Sequence, residues 1–146
     1  MISVDTNLFV HAANLSMSSN AAARQFLASL VSRNDVVLCE LMLVELYLKL
    51  RNPIIFPTPL NAAAAVAYCQ ALRGNTQWQV VESAPIMPEV WRLAARRDFG
   101  FRRVIDARLA LTLRHYSVTE FATTNVKDFQ DFGFTRVWNP LVESPH

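Results

Sequence analysis

The sequence predicts an α/β protein in which a parallel sheet is covered by helices on both faces. Short apolar runs alternate along the chain with helical stretches, the pattern of repeated strand–helix crossovers. The 146 residues are 52% hydrophobic and only 18% charged, enough to bury a core in one domain spanning 1–146. The first apolar run ends in Asp5, Thr6 and Asn7. In open α/β sheets ligand chemistry gathers at the carboxyl ends of strands.

Ile2 and Val4 make the opening run a strand. Residues 17–33 have helical periodicity, with Ser18, Ser19 or Asn20 to cap them and Phe26, Leu27, Leu30 and Val31 on one face. Residues 36–39 form the second strand. Residues 41–51 return to helix, with Leu41, Val44 and Leu48 on one side and Glu45 inside the run, until Asn52-Pro53 stops it. A Pro57-Thr58-Pro59 turn leads into an alanine-rich helix over 60–72, closed by Gly74-Asn75. Residues 78–81 are the third strand. Pro85 and Pro88 precede a helix over 89–97, and Gly100 separates it from another over 104–116 that carries Asp106 in its first turns. The fourth strand, 118–122, runs into Thr123-Thr124-Asn125. A short helix or turn over 127–132 and a last strand over 134–138 follow, and Asn139-Pro140 begins a tail. No linker, repeat or low-complexity segment interrupts the pattern.

The apolar runs are too broken to span a bilayer, and no basic segment followed by an apolar one opens the chain as a secretory signal does, so a cytoplasmic location without membrane is expected. Cys39 and Cys69 lack metal-type spacing and read as reduced, buried thiols. His11 and His115 have no partner at metal-ligand spacing, and Trp78, Trp91 and Trp138 are expected in the core. The net charge is +2, yet Arg92, Arg96, Arg97, Arg102, Arg103, Arg108 and Arg114 crowd into one span. Such a span suits a polyanion; it equally suits a solvated helix face paired with Glu89 and Asp98.

Four acids stand in the wrong company for a surface. Asp5 ends the first strand, Glu45 lies in Leu43-Val44-Glu45-Leu46, Asp106 in Val104-Ile105-Asp106-Ala107, and Asp128 follows the fourth strand. Carboxylates among buried-type residues are costly unless paired or bound to metal. Several in one crevice raise one another's pKa, and an oxygen-only donor set favours Mg²⁺ or Mn²⁺ over zinc. Near a phosphodiester such ions activate water and stabilise the leaving oxygen. Asp5 alone is also compatible with capping the turn or helix after it, and Glu40, at a strand-to-helix junction, reads as a residue of a helix N-terminus. A phosphatase with an aspartyl nucleophile would need a second acid where Asn7 stands. A phospho-acceptor domain would need an acid after the third strand, where Glu82-Ser83 offers no good Asp.

With these motifs in order, the chain resembles the PIN-domain ribonucleases and, within them, the VapC-type toxins of toxin–antitoxin pairs. The carrying segments are Val4-Asp5-Thr6-Asn7, Leu43-Val44-Glu45-Leu46, Ile105-Asp106-Ala107, and Thr123-Thr124-Asn125-Val126-Lys127-Asp128-Phe129, which matches the pattern T-x-N-x-x-D-F. The resemblance implies a flavodoxin-like three-layer sandwich around a parallel sheet of four or five strands, and a Mg²⁺- or Mn²⁺-dependent endoribonuclease. It also implies a homodimer with a cognate antitoxin. By this resemblance Asp5, Glu45 and Asp106 hold the metal, and Asp128 either joins them as the fourth catalytic acid, since Asn125 stands where many members have one, or caps or braces its segment. Thr6, Asn7, Thr123 and Asn125 orient substrate or water. Arg102 and Arg103, just ahead of the helix bearing Asp106, are the expected RNA contacts. A PIN nuclease of RNA processing, or a PIN scaffold without catalysis, would share the same outline.

Overall fold

Five strands of three residues each run parallel through the centre of the molecule, and a computed structural model describes residues 1–142. The elements are β1 (Ile2–Val4), α1 (Thr6–Ala13), α2 (Asn20–Leu30), β2 (Val37–Cys39), α3 (Glu40–Leu50) and α4 (Ala62–Arg73). They continue with β3 (Gln79–Val81), α5 (Met87–Ala94), α6 (Arg103–His115), β4 (Glu120–Ala122), α7 (Val126–Phe129) and β5 (Arg136–Trp138). The tail expected from Asn139 continues past the described residues.

The sheet is drawn in two pieces. β1, β4 and β5 form one ladder and β2 and β3 another, joined by a single bridge between Ile2 and Val36 and by the Ile2 N–H donating to the Asp35 carbonyl at 2.9 Å. The expected continuous sheet of four or five strands is thus a three-stranded ladder with a two-stranded one hinged to it. With strands this short, β1 meets the β2 side only at its first residue. The spatial order is β3-β2-β1-β4-β5, so the order in which strands are added switches sides between β1 and β4, where a doubly wound sheet opens its crevice. The connections run one way across the sheet before β3 and the other way after it, which for right-handed crossovers sets α1–α4 on one face and α5–α7 on the other. Accordingly α1 packs on α2 and α3, α3 on α4, α5 on α6, and α6 on α7.

The strands are buried as a parallel sheet demands: Ile2, Val4, Val37, Leu38, Cys39, Phe121 and Ala122 are each at most 2% exposed. Phe121 stacks on Phe134 and tilts against Phe129, sealing the β4 end of the core. Cys39 and Cys69 are free and buried.

Several local expectations change. Residues 6–13 form α1, a helix of eight residues not expected from the sequence; Asn7 and His11, four apart, share one of its faces opposite buried Leu8, Phe9 and Val10. Neither Ser18 nor Ser19 caps α2 with its side chain. Asn20 instead donates its amide to the carbonyls of His11 and Ala12, closing the carboxyl end of α1 and locking α1 to α2. In α3 the core takes Met42, Leu43, Leu46 and Leu50, while Val44 and Leu48 are 53% and 61% exposed. A helix apolar on nearly every side has no legible inner face, and packing chose the other one. Trp78 and Trp138 are buried, but Trp91 is 60% exposed on α5.

Candidate active site

Asp5 stands at the end of β1 where the chain passes into α1. Its N–H donates to the Ala122 carbonyl at 2.8 Å, continuing the β1–β4 ladder by one residue. That pairing sets Asp5 beside Thr123, which follows β4. The wholly buried Thr123 hydroxyl donates to Asp5 Oδ2 at 2.7 Å and accepts the Asn125 N–H at 2.9 Å. Asp5 occupies the N-cap position of α1 without the usual side-chain capping bond, and its carboxylate lies between the sheet end and the first N–H groups of the helix. Burial pushes its pKa above the ordinary aspartate value, opposed by the Thr123 hydrogen bond, the Lys49 charge and the nearby N–H groups of Thr6 and Asn7.

Glu45 comes to the same place from α3. The buried Thr6 hydroxyl lies 3.5 Å from Glu45 Oε2 and 3.5 Å from the Met42 carbonyl, a long, shared contact. Burial raises the Glu45 pKa, and the Asp5 charge adds to that against the pull of Lys49. Lys49 lies one turn further along α3 and donates to Asn7 Oδ1 at 2.7 Å. The acidic motifs do not point to this lysine. The available signal is its spacing of four from Glu45, which places both on one face of a helix.

Asp106 arrives from the first turn of α6. Its pKa is pushed up to about 6, first by burial and then by the charges of Asp128, Asp5 and Glu45, with Arg103 opposing. One cleft of about 320 Å³ is lined by Asp5, Asn7, Glu45, Lys49, Asp106 and Asn125, with Leu48, Ile105, Leu109 and Phe129 as its apolar walls. Asp128 is exposed and lies outside that lining, three residues after Asn125, although its charge reaches Asp106. Thr6 and Thr123 sit behind the cleft and hold its acids.

The arginine span divides. Arg103 is engaged internally, donating to Asp131 at 3.3 Å and to the Asp128 carbonyl at 3.2 Å, with its guanidinium over the Phe99 and Phe132 rings. Arg92 pairs with Glu89, Arg108 donates to Ser83, and Arg114 to the Val118 carbonyl. Arg102 is exposed beside the equally exposed Phe101. Glu40, in the first turn of α3, is ion-paired with Arg73 on α4 and takes no part in the cleft.

Among the described residues no three His, Cys, Asp or Glu side chains are gathered closely enough to hold an ion between them. The donor set nevertheless fits a hard divalent cation. It is all oxygen, its three acids each have a raised pKa, and Mg²⁺ keeps several waters and asks the protein for only one or two carboxylates.

Comparison with known proteins gives the family. The PIN domain family model matches residues 2–134. Ribonuclease VapC24 from two strains of Mycobacterium tuberculosis is 50% identical over 141 residues, 97% of each chain. Among solved structures, Mycobacterium tuberculosis VapC20, described as a sarcin–ricin loop cleaving toxin, superposes with a TM-score of 0.68 at 22% identity, covering 92% of this chain and 97% of that one. FitAcB from Neisseria gonorrhoeae gives a TM-score of 0.66 at 19% identity, over 98% and 100% of the two chains. The chain belongs to the PIN-domain family, among its VapC ribonucleases.

Proposed function

We propose that this protein is a Mg²⁺- or Mn²⁺-dependent endoribonuclease that cuts RNA in the cleft between β1, α3 and α6, and that it serves as the toxin of a toxin–antitoxin pair. The observation that carries the reading is the convergence of Asp5, Glu45 and Asp106, from three separate elements, on one cleft where each is held with a raised pKa. The ribonuclease name of the relative at 50% identity supports the choice of RNA.

In this reading Asp5, Glu45 and Asp106 hold the cation, which when bound offsets their charge and polarises the phosphodiester. Thr123 keeps Asp5 oriented through its 2.7 Å hydrogen bond, and Thr6 braces Glu45. Asn7 and Asn125, both on the cleft wall, orient water and phosphate. Asp128 adds negative charge beside Asp106 from outside the wall. Buried Leu109 and Phe129 form the dry side of the cleft, which strengthens the electrostatic contacts next to them. Arg102, exposed just ahead of α6, contacts the RNA backbone.

Two assemblies belong to the same proposal. The exposed Leu48 and Ile105 on the cleft wall and the exposed Val44 next to Glu45 on α3 are apolar surface that a second copy would cover. A groove of about 650 Å³ between α1, α2 and α4, walled by Phe9, Leu27, Tyr68, Leu72 and Trp78, suits an apolar antitoxin segment. The decisive assay is incubation with pooled RNA in Mg²⁺ and in EDTA. Fragments only in Mg²⁺, and none from Asp106→Asn, are expected; intact RNA under both conditions would leave a scaffold.

A further inference from the structure

Lys49 is the cationic side chain that lines the acid cleft, and its position is unusual for a lysine of this chain. Only Lys49 and Lys127 are lysines among the 14 Lys and Arg residues. Lysines ordinarily extend their ammonium to water. Lys49 is half-buried, and its Nζ lies 2.7 Å from Asn7 Oδ1. Although its charge is felt by both Asp5 and Glu45, among the described residues it forms no ion pair within 4.0 Å. The ammonium thus favours the acids without occupying their oxygens. An arginine fork would tend to take a carboxylate by both oxygens and remove it from use.

The contact also sorts the two ends of Asn7. An ammonium has donors only, so it engages the amide oxygen and leaves the amide nitrogen, with its two N–H donors, for another acceptor. Asn7 lines the cleft, where the acceptor of an RNA substrate is a phosphate oxygen. We infer that Lys49 is a positioning residue: it fixes the Asn7 amide with its donor end toward the scissile phosphate and is the resident counter-charge of Asp5 and Glu45 before a divalent cation binds. This inference rests on the nuclease reading proposed above.

A counter-charge and a metal compete for the same field, which gives the role a sign that a merely structural lysine would lack. Lys49→Met keeps the aliphatic stem and removes the charge. Calorimetric titration with Mg²⁺ alone is expected to show binding about threefold to tenfold tighter than wild type. RNA cleavage by the same variant is expected to lose roughly tenfold in kcat with little change in KM, as when an outer partner of an active-site group is removed. Lys49→Arg keeps the charge and should abolish that gain, binding Mg²⁺ no more tightly than wild type. In an Asn7→Ala background, Lys49→Met should lower kcat by less than about twofold, because the two act as one unit. Mg²⁺ binding by Lys49→Met that equals or is weaker than wild type would overturn the inference, as would a full tenfold kcat loss persisting without Asn7. A wild type that binds Mg²⁺ and cleaves RNA while Lys49→Met behaves identically would overturn the inference alone. A wild type that does neither would overturn the nuclease reading and this inference with it.

Discussion

Two hollows of this molecule are opposite in kind. The groove between α1, α2 and α4 is about twice the volume of the acid cleft, and Arg24 is the charged residue on its wall. The cleft at the ends of β1 and β4 is small and holds three acids and a lysine. The general expectation that the larger apolar pocket is the site of chemistry would choose the groove. Here the reactive groups instead follow the strand ends, because Asp5 and Thr123 are delivered by neighbouring strands of the β1–β4 ladder. The groove is made by helix surfaces and carries shape; the cleft is made where the sheet stops and carries charge.

The sharpest way to break that division is activity. Asp5→Asn or Asp106→Asn is expected to lower RNA cleavage by at least two orders of magnitude, roughly 3 kcal/mol in the barrier, with the fold retained by circular dichroism. Tyr68→Ala in the groove should leave turnover within about twofold. Equal losses from both would erase the distinction.

A smaller effect concerns pH. Asp106 titrates at about 6 in the folded state against 3.8 when free, and Asp5 and Glu45 shift in the same direction. The folded, metal-free protein therefore holds these protons more tightly than the unfolded chain. The stability this confers is complete below the ordinary value and is lost as pH rises through about 6. Melting temperature in EDTA should fall between pH 5 and pH 7, roughly the window of that shift, and Asp106→Asn should flatten the fall. A melting temperature that rises across this interval would place the acids in stabilising pairs.

The smallest expected change separates the two arginines ahead of α6. Arg102→Ala should reduce the salt dependence of RNA binding by about one phosphate contact. Arg103→Ala should leave that slope nearly unchanged and lower stability by about 1 kcal/mol or less, since its guanidinium is occupied by Asp131 and by the Phe99 and Phe132 rings. A slope that shifts only with Arg103 would reverse their roles.

The strand ends are legible in the sequence because a β-branched run that stops at an acid, with small polar residues after it, marks the edge of a sheet. The five strands and most helices sit where the alternation predicts, within a few residues. The features that local pattern misses have two causes. α1 is short and follows β1 directly, and α3 is apolar on so many sides that its inner face is undetermined. Lys49 looks like an ordinary helix lysine until Asn7 is brought to it from α1, and Arg103 is engaged only when the chain past β4 returns with Asp131. The last two are long-range contacts, and local pattern holds no record of them.

The central claim is that Asp5, Glu45 and Asp106 share one electrostatic site that a divalent cation relieves. Two full charges about 5 Å apart cost about 3 kcal/mol at an effective dielectric near 20, before proton uptake and solvent reduce it. Four thermal melts at constant ionic strength test it: wild type and Asp106→Asn, each in EDTA and in millimolar Mg²⁺. Asp106→Asn is expected to melt higher than wild type in EDTA, and Mg²⁺ to raise the wild type more than the variant, because the ion binds only the folded form. A variant that melts lower in EDTA, with both proteins responding alike to Mg²⁺, would make Asp106 a structural residue of α6 and contradict the three-acid site.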